Sequence, residues 1–189
     1  MISIRRARPS DAIAIGAVHV AVWRSTYPGI LPDGFLARLS VPRQAAHYDA
    51  AIRSSTAVFV ASASGTDVPP GSGSRIVGFT TAGRARMNEV SGRRLAEGEV
   101  ETLYVLDDWR ERGVGRRLMR ASAAYLAEAG CKSCFVWVLR DNPSRWFYQR
   151  LGGKPVAEAL IQVAGQKVPQ TAFAWDPIER LLAASPQAS

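Results

Sequence analysis

Between Glu99 and Met119 the chain reads EVETLYVLDDWRERGVGRRLM. The run as far as Val105 predicts a strand. Apolar residues at helical spacing from Val114 predict a helix. The turn between them holds Gly113 and Gly115 among Arg110, Arg112, Arg116 and Arg117. The first turn of any helix has N–H groups with no partner inside the helix, and the helix dipole adds partial positive charge there. Glycine lets the chain turn tightly and lets a ligand approach the backbone. Such a joint is an anion site, most naturally for phosphate, and arginine suits phosphate oxygens.

The segments around this joint settle the fold class. ISIRRA predicts a first strand, and PSDAIAIGAVHVAVWRSTY a helix capped by Ser10 or Asp11, with Ile13, Ala17, Val20 and Trp23 facing the core. A short helix follows in PGILPDGFLARLS, then another in VPRQAAHYDAAIRSS with Pro42 in its first turn. AVFVAS and RIVGFTTAGR read as a hairpin whose Gly/Ser/Pro-rich tip, about 62–74, is a mobile loop and not a domain linker. RMNEVSGRRLAEG is polar and is expected to be irregular. The central helix should present Val114, Leu118, Ala121, Tyr125 and Leu126 to the core and end at Gly130. CFVWVL is apolar throughout, as in a sheet covered on both faces. NPSRWFYQRLG predicts a short helix, KPVAEALIQVAG and VPQTAFAW an antiparallel pair, and 176–189 a short helix or frayed tail. The expectation is one α/β (α+β) domain over residues 1–189, with a single mixed sheet.

Composition narrows the function classes. The 189 residues are 47% hydrophobic, which suits one domain with a proper core. No run is long and apolar enough to span a membrane, and the N-terminus has no signal-peptide core, so the protein is expected to be cytoplasmic. The formal charge of +8 favours an anionic ligand. No helix has an unbroken basic face and no basic-aromatic strand motif occurs, so nucleic acid is not expected. The CKSC of Cys131 and Cys134 reads as a helix-end Cys and a strand Cys; a metal site would need more ligands than His19 and His47 supply.

The joint fits neither common nucleotide motif. A dinucleotide loop needs glycine where Leu118 stands, and a Walker loop needs Lys-Ser/Thr where Arg116-Arg117 stand. What remains is Arg-x-x-Gly-x-Gly, from Arg110 to Gly115. In that form EVETLYVLDDWRERGVGRRLM resembles the acyl-coenzyme A motif of the GNAT superfamily of N-acetyltransferases. VWVLRDNPSRWFYQRLGGK resembles the second motif of that family: a strand, an Asn opening a helix, then Phe-Tyr-x-x-x-Gly. Asp107-Asp108 stands where many members carry proline.

The resemblance implies a mostly antiparallel sheet of about seven strands, flanked by helices and splayed at the cofactor site. It implies transfer of an acetyl group from acetyl-CoA to a primary amine, small-molecule or peptide, in a ternary complex, with no metal. A homodimer is compatible with it. The diphosphate segment is then Arg110, Glu111, Arg112, Gly113, Val114, Gly115 and Arg116, with the amides from Arg112 through Arg116 as the cradle. The strand edge Leu103, Tyr104 and Val105 would hold the pantetheine arm, and the Val105 N–H would polarise the thioester. Asn142 would contact the same arm and Arg145 a phosphate. Tyr148 would protonate the leaving thiolate. Glu99, with Glu101 as the nearer spare, would supply the base that an ammonium of pKa near 10 requires. Strand alternation places both glutamates on the face of Leu103 and Val105. His19, Trp23 and Tyr27 fall in the region that lines the acceptor pocket. The alternative reading is a non-catalytic acyl-CoA-binding or sensor module of the same fold.

Overall fold

A computed structural model describes residues 1–54, 56–68, 73–86, 89–90 and 92–185. The elements follow in the order β1 (Ile2–Arg6), α1 (Ala12–Thr26), α2 (Asp33–Ala37), α3 (Val41–Arg53), β2 (Ala57–Ala63), β3 (Arg75–Arg84), β4 (Glu89–Val90), β5 (Arg93–Arg94), β6 (Gly98–Val105), α4 (Val114–Glu128), β7 (Cys134–Leu139), α5 (Arg145–Arg150), β8 (Lys154–Val163), β9 (Gln166–Trp175) and α6 (Glu179–Ala184). The expected irregular stretch holds the two-residue strands β4 and β5, paired as a hairpin. Of the expected loop at 62–74, residues 62–63 belong to β2, and residues 69–72 lie outside the described residues, as do 186–189 of the tail.

Seven strands form one sheet in the order β1-β2-β3-β6-β7-β9-β8. Every neighbouring pair is antiparallel except β6 and β7. That parallel pair is joined in register only from Gly98↔Cys134 to Val100↔Val136. Beyond it the two strands run on, to Val105 and Leu139, without pairing. The gap lies in the middle of the sheet, beside the start of α4.

Each face of the sheet has its own core. On one, Ile15, Val18 and Val22 of α1 and Tyr48 of α3 pack against Val58, Val60 and Phe79. Ile13 is 72% exposed and Ala17 is also exposed, so the buried stripe of α1 differs from the expected one. The helix is apolar almost all round and offers no single stripe to read. Its position is fixed by Gly16, where a Cβ would stand 2.8 Å from both Ala45 N and Val41 O of α3. On the other face α4 buries Val114, Leu118, Met119, Ala123 and Leu126, while Ala121 and Tyr125 are half-buried. Each large side chain so buried contributes about 1.5–3 kcal/mol. The chain leaves α4 through Gly130 at φ 84°, a left-handed helix end.

Candidate active site

The turn from β6 into α4 leaves a row of amides unpaired. Glu111 has φ 61° and Gly113 φ 75°, and alternation into the left-handed region turns N–H groups toward one side. The Arg110 N–H is satisfied by Asp107 O and the Arg117 N–H by Gly113 O. Between them, the N–H groups from Glu111 through Arg116 donate to no group among the described residues. Gly115 brings α4 against α5: a Cβ there would lie 3.2 Å from Phe147 Cζ. Val114 is itself in the core, so only its backbone faces the turn. Arg110 folds back over the turn, with contacts to Asp107 Oδ1 at 2.8 Å and Thr26 Oγ1 at 3.1 Å and a longer one to Val105 O at 3.5 Å.

The strand edge beside the gap is also unpaired. Leu106 N–H donates to Val77 O, and β6 keeps one register with β3 from Thr102 to Val105. Antiparallel ladders alternate bonded and non-bonded pairs. The backbone groups of Leu103 and Val105 therefore turn away from β3, toward the gap that β7 leaves open.

A cavity of about 1070 Å³ occupies this gap. Glu99, Glu101, Leu103, Tyr104, Val105, Arg110, Glu111, Gly113, Gly115, Arg116, Asn142, Tyr148, Trp23 and Tyr27 all line it. Arg112 and Arg145 do not. Arg112 stacks over Trp109 at 4.9 Å, while Arg145 donates to Arg140 O and stacks over Trp146 at 4.9 Å. His19 lies behind the wall, with Nδ1 2.8 Å from the Tyr48 hydroxyl. Burial, reinforced by His47, lowers its pKa to about 4, so the ring is neutral. Cys131 and Cys134 are buried free thiols; burial pushes that of Cys134 up to about 12.

The glutamates do not share a face with Leu103 and Val105. The register of β3 against β6 passes from Thr81↔Thr102 to Ala82↔Val100, leaving Glu101 as an extra residue. This bulge reverses the alternation. Val100 packs in the α4 core, and beyond the bulge so do Leu103 and Val105. Tyr104 faces the α1–α3 core instead. Glu99 and Glu101 flank Val100 and so point away from α4. Burial, and then the neighbouring Glu101 charge, raise the Glu99 pKa to about 7, against a smaller opposing effect of Arg86.

At the other wall Tyr148 is 5% exposed, and its hydroxyl bonds to no described residue. Its ring stacks on Phe173 and meets Phe147 and Trp175 edge-on. Burial, and next Tyr27, push its pKa above the ordinary phenol value. Asn142 Nδ2 donates to the Tyr27 hydroxyl at 3.3 Å and its Oδ1 accepts the Ser144 N–H at 2.9 Å, tying α1 to the turn before α5. Sequence reasoning had not singled out Arg86, Trp137, Arg150 or Gln170, which also line the cavity. Arg86 lies just past β3 in a polar stretch without periodicity, and only the β3–β6 register brings it to Glu101.

Comparison with known proteins agrees with this geometry. The Acetyltransferase (GNAT) family model matches residues 23–153. The chain is 33% identical over 181 residues to the uncharacterized N-acetyltransferase YuaI of Bacillus subtilis (strain 168), covering 96% of both proteins. Its fold is similar to that of a GCN5-related N-acetyltransferase from Rhodopseudomonas palustris (TM-score 0.66, 19% identity, 92% of this chain and 94% of that one). It is also similar to yncA, a putative acetyltransferase from Salmonella typhimurium solved with its cofactor acetyl-CoA (TM-score 0.63, 20% identity, 93% of each chain). The match to the family model across most of the chain, and a relative of this identity over nearly the full length, establish that the chain belongs to the GNAT family and is an N-acetyltransferase.

Proposed function

We propose that the protein transfers an acetyl group from acetyl-CoA to a primary amine by direct attack while both are bound. The observation that carries this reading is the pairing of β6 with β7 over three residue pairs only, which opens the sheet beside six unpaired amides. The chemistry of the donors fits the cofactor. The N–H groups from Glu111 to Arg116, with the Arg116 guanidinium, would hold the diphosphate. The Leu103 and Val105 backbone would pair with the amides of the pantetheine arm, as an added strand does. The Val105 N–H would polarise the acyl carbonyl.

Acetyl-CoA supplies an activated acyl carbon and a thiolate leaving group. The protein moves the protons. Glu99, half-ionised near pH 7, takes the proton that the acceptor ammonium must lose. Tyr148 keeps its proton at that pH and is free to give it to the departing sulfur. Glu101 and Arg86 tune the proton affinity of Glu99 by their charges.

Thiol release from acetyl-CoA across an amine panel tests the reading, alongside the melting temperature. Acetyl-CoA at a hundredfold over its Kd should stabilise the fold by about 2.7 kcal/mol. Stabilisation with no thiol release on any amine would favour the non-catalytic module. No stabilisation would remove the cofactor assignment itself.

A further inference from the structure

The acceptor end of the cavity holds one carboxylate more than proton transfer needs. Glu99 is sufficient as a base. Glu101, brought beside it by the bulge, has a single cationic partner among the described residues, Arg86 Nη2 at 3.8 Å. The Glu101 side chain is 28% exposed and that of Arg86 83%. So loose a contact with so exposed a guanidinium holds little energy. Arg86 thus marks a place for a positive group that a ligand can take over.

On the face of the sheet away from α4, where both carboxylates lie, the cavity is also lined by Trp137 of β7 and by Ile161 and Val163 of β8. Leu160 is 65% exposed and Ile161 38%, on an outermost strand of the sheet, so apolar surface faces both the cavity and its surroundings. Most of the other cations of the cavity belong elsewhere: Arg110 and Arg116 to the diphosphate turn, with Arg150 at the end of α5. An acceptor bearing a carboxylate would meet two carboxylates and one already engaged guanidinium.

Resting on the acetyl-transfer reading above, we infer that the acceptor is a primary amine carrying a second cationic centre on a short hydrocarbon spacer. Its far ammonium displaces Arg86 from Glu101, and its methylenes lie along the Trp137–Ile161 wall. That places its reacting amine at Glu99. The nitrogen forms the new bond to the acyl carbon as the carbon–sulfur bond breaks. The entering ammonium gives one proton to Glu99 before attack. As the bond to carbon forms, Tyr148 protonates the departing sulfur and the second nitrogen proton passes through water to the Tyr148 oxygen, so charge and atoms balance.

The test is steady-state thiol release at saturating acetyl-CoA with putrescine, cadaverine, n-butylamine and L-leucine. The diamines should exceed n-butylamine in kcat/KM by about tenfold or more, chiefly through KM, as a hydrogen-bonded charge warrants. Glu101→Gln should shrink that ratio to near unity, a change that a merely structural role for Glu101 would not select. Arg86→Gln should lower KM for the diamines and not for n-butylamine. If n-butylamine or L-leucine serves as well as the diamines, or if the ratio survives Glu101→Gln, the dicationic acceptor is wrong while acetyl transfer stands. Thiol release with none of the four overturns the dicationic acceptor, and acetyl transfer itself falls only if the wider amine panel is silent as well.

Discussion

The acid limb of the pH–rate profile should belong to Glu99 and should move with its neighbours. With a pKa of about 7, roughly one Glu99 in eleven is ionised at pH 6, half at pH 7 and ten in eleven at pH 8. If Glu99 is the base, kcat rises about tenfold from pH 6 to pH 8, well below the range near 10 in which a free amine loses its own proton. Glu99→Gln should abolish this limb and lower kcat by about a hundredfold or more. The Glu101 charge raises the Glu99 pKa and Arg86 lowers it. Glu101→Gln should therefore move the limb toward lower pH and Arg86→Gln toward higher pH. Stability gives an independent check. The folded-state pKa of Glu99 lies above its unfolded value, so the fold binds the proton more tightly than the open chain. The stability this contributes is complete below about pH 4.5 and is lost as pH rises through about 7. Glu99→Gln, which carries no charge to desolvate, should melt above the native protein at pH 8, by a margin that shrinks toward pH 5. A limb near pH 7 that persists in Glu99→Gln, or that ignores both neighbours, would refute the assignment. The assay is stopped-time thiol release at saturating acetyl-CoA and acceptor.

Tyr148→Phe keeps the ring against Phe173, Phe147 and Trp175. It should lower kcat by about a hundredfold while calorimetry finds acetyl-CoA affinity unchanged; unaltered turnover would remove Tyr148 as the acid. Gly113→Ala meets no atom within 4 Å but sits at φ 75°, so a thermal melt should show a loss of about 1–2 kcal/mol. Gly115→Ala brings a Cβ 3.2 Å from Phe147 Cζ, and should weaken acetyl-CoA binding, read by calorimetry, more than Gly113→Ala does. Gly16→Ala is remote from the cavity and collides with α3 backbone at 2.8 Å; it should cost about 1–3 kcal/mol and leave KM for acetyl-CoA unchanged.

Order and type of the elements were legible where periodicity was strong. The β6–α4 joint carries its chemistry in the local sequence, because positive φ at Gly113 and close packing at Gly115 both call for glycine. The second motif is equally local, with Tyr148 and Asn142 a few residues apart on one short segment. The buried stripe of α1 was not legible, since AIAIGAVHVAVW is apolar at nearly every position. The choice of stripe is made by the backbone of α3 at Gly16, a contact between segments distant in sequence. The β4–β5 hairpin was hidden for the opposite reason: its polar residues alternate with nothing.

The face of the two glutamates shows most clearly how a single residue escapes pattern reading. EVETLYV carries only a faint mark of the bulge, the two successive polar residues Glu101 and Thr102, after which the apolar positions pass from Val100 to Leu103 and Val105. The slip against β3 falls at Glu101, next to the last residue paired with β7, Val100↔Val136. A bulge bends its strand and sharpens the local twist. One inserted residue can therefore account for three features together: β6 parts from β7, Leu103 and Val105 turn into the α4 core, and Glu99 and Glu101 stay on the opposite side of the sheet. The gap for a pantetheine arm and the carboxylates for an acceptor then have one structural cause. Deleting Glu101 would remove the bulge while leaving Thr102 opposite Thr81 and Val100 opposite Ala82, so Glu99 would keep its face and β6 would be free to go on pairing with β7 past Val100, closing the gap. A deletion variant that folds and still turns over would show that the bulge does not hold the two sites in place.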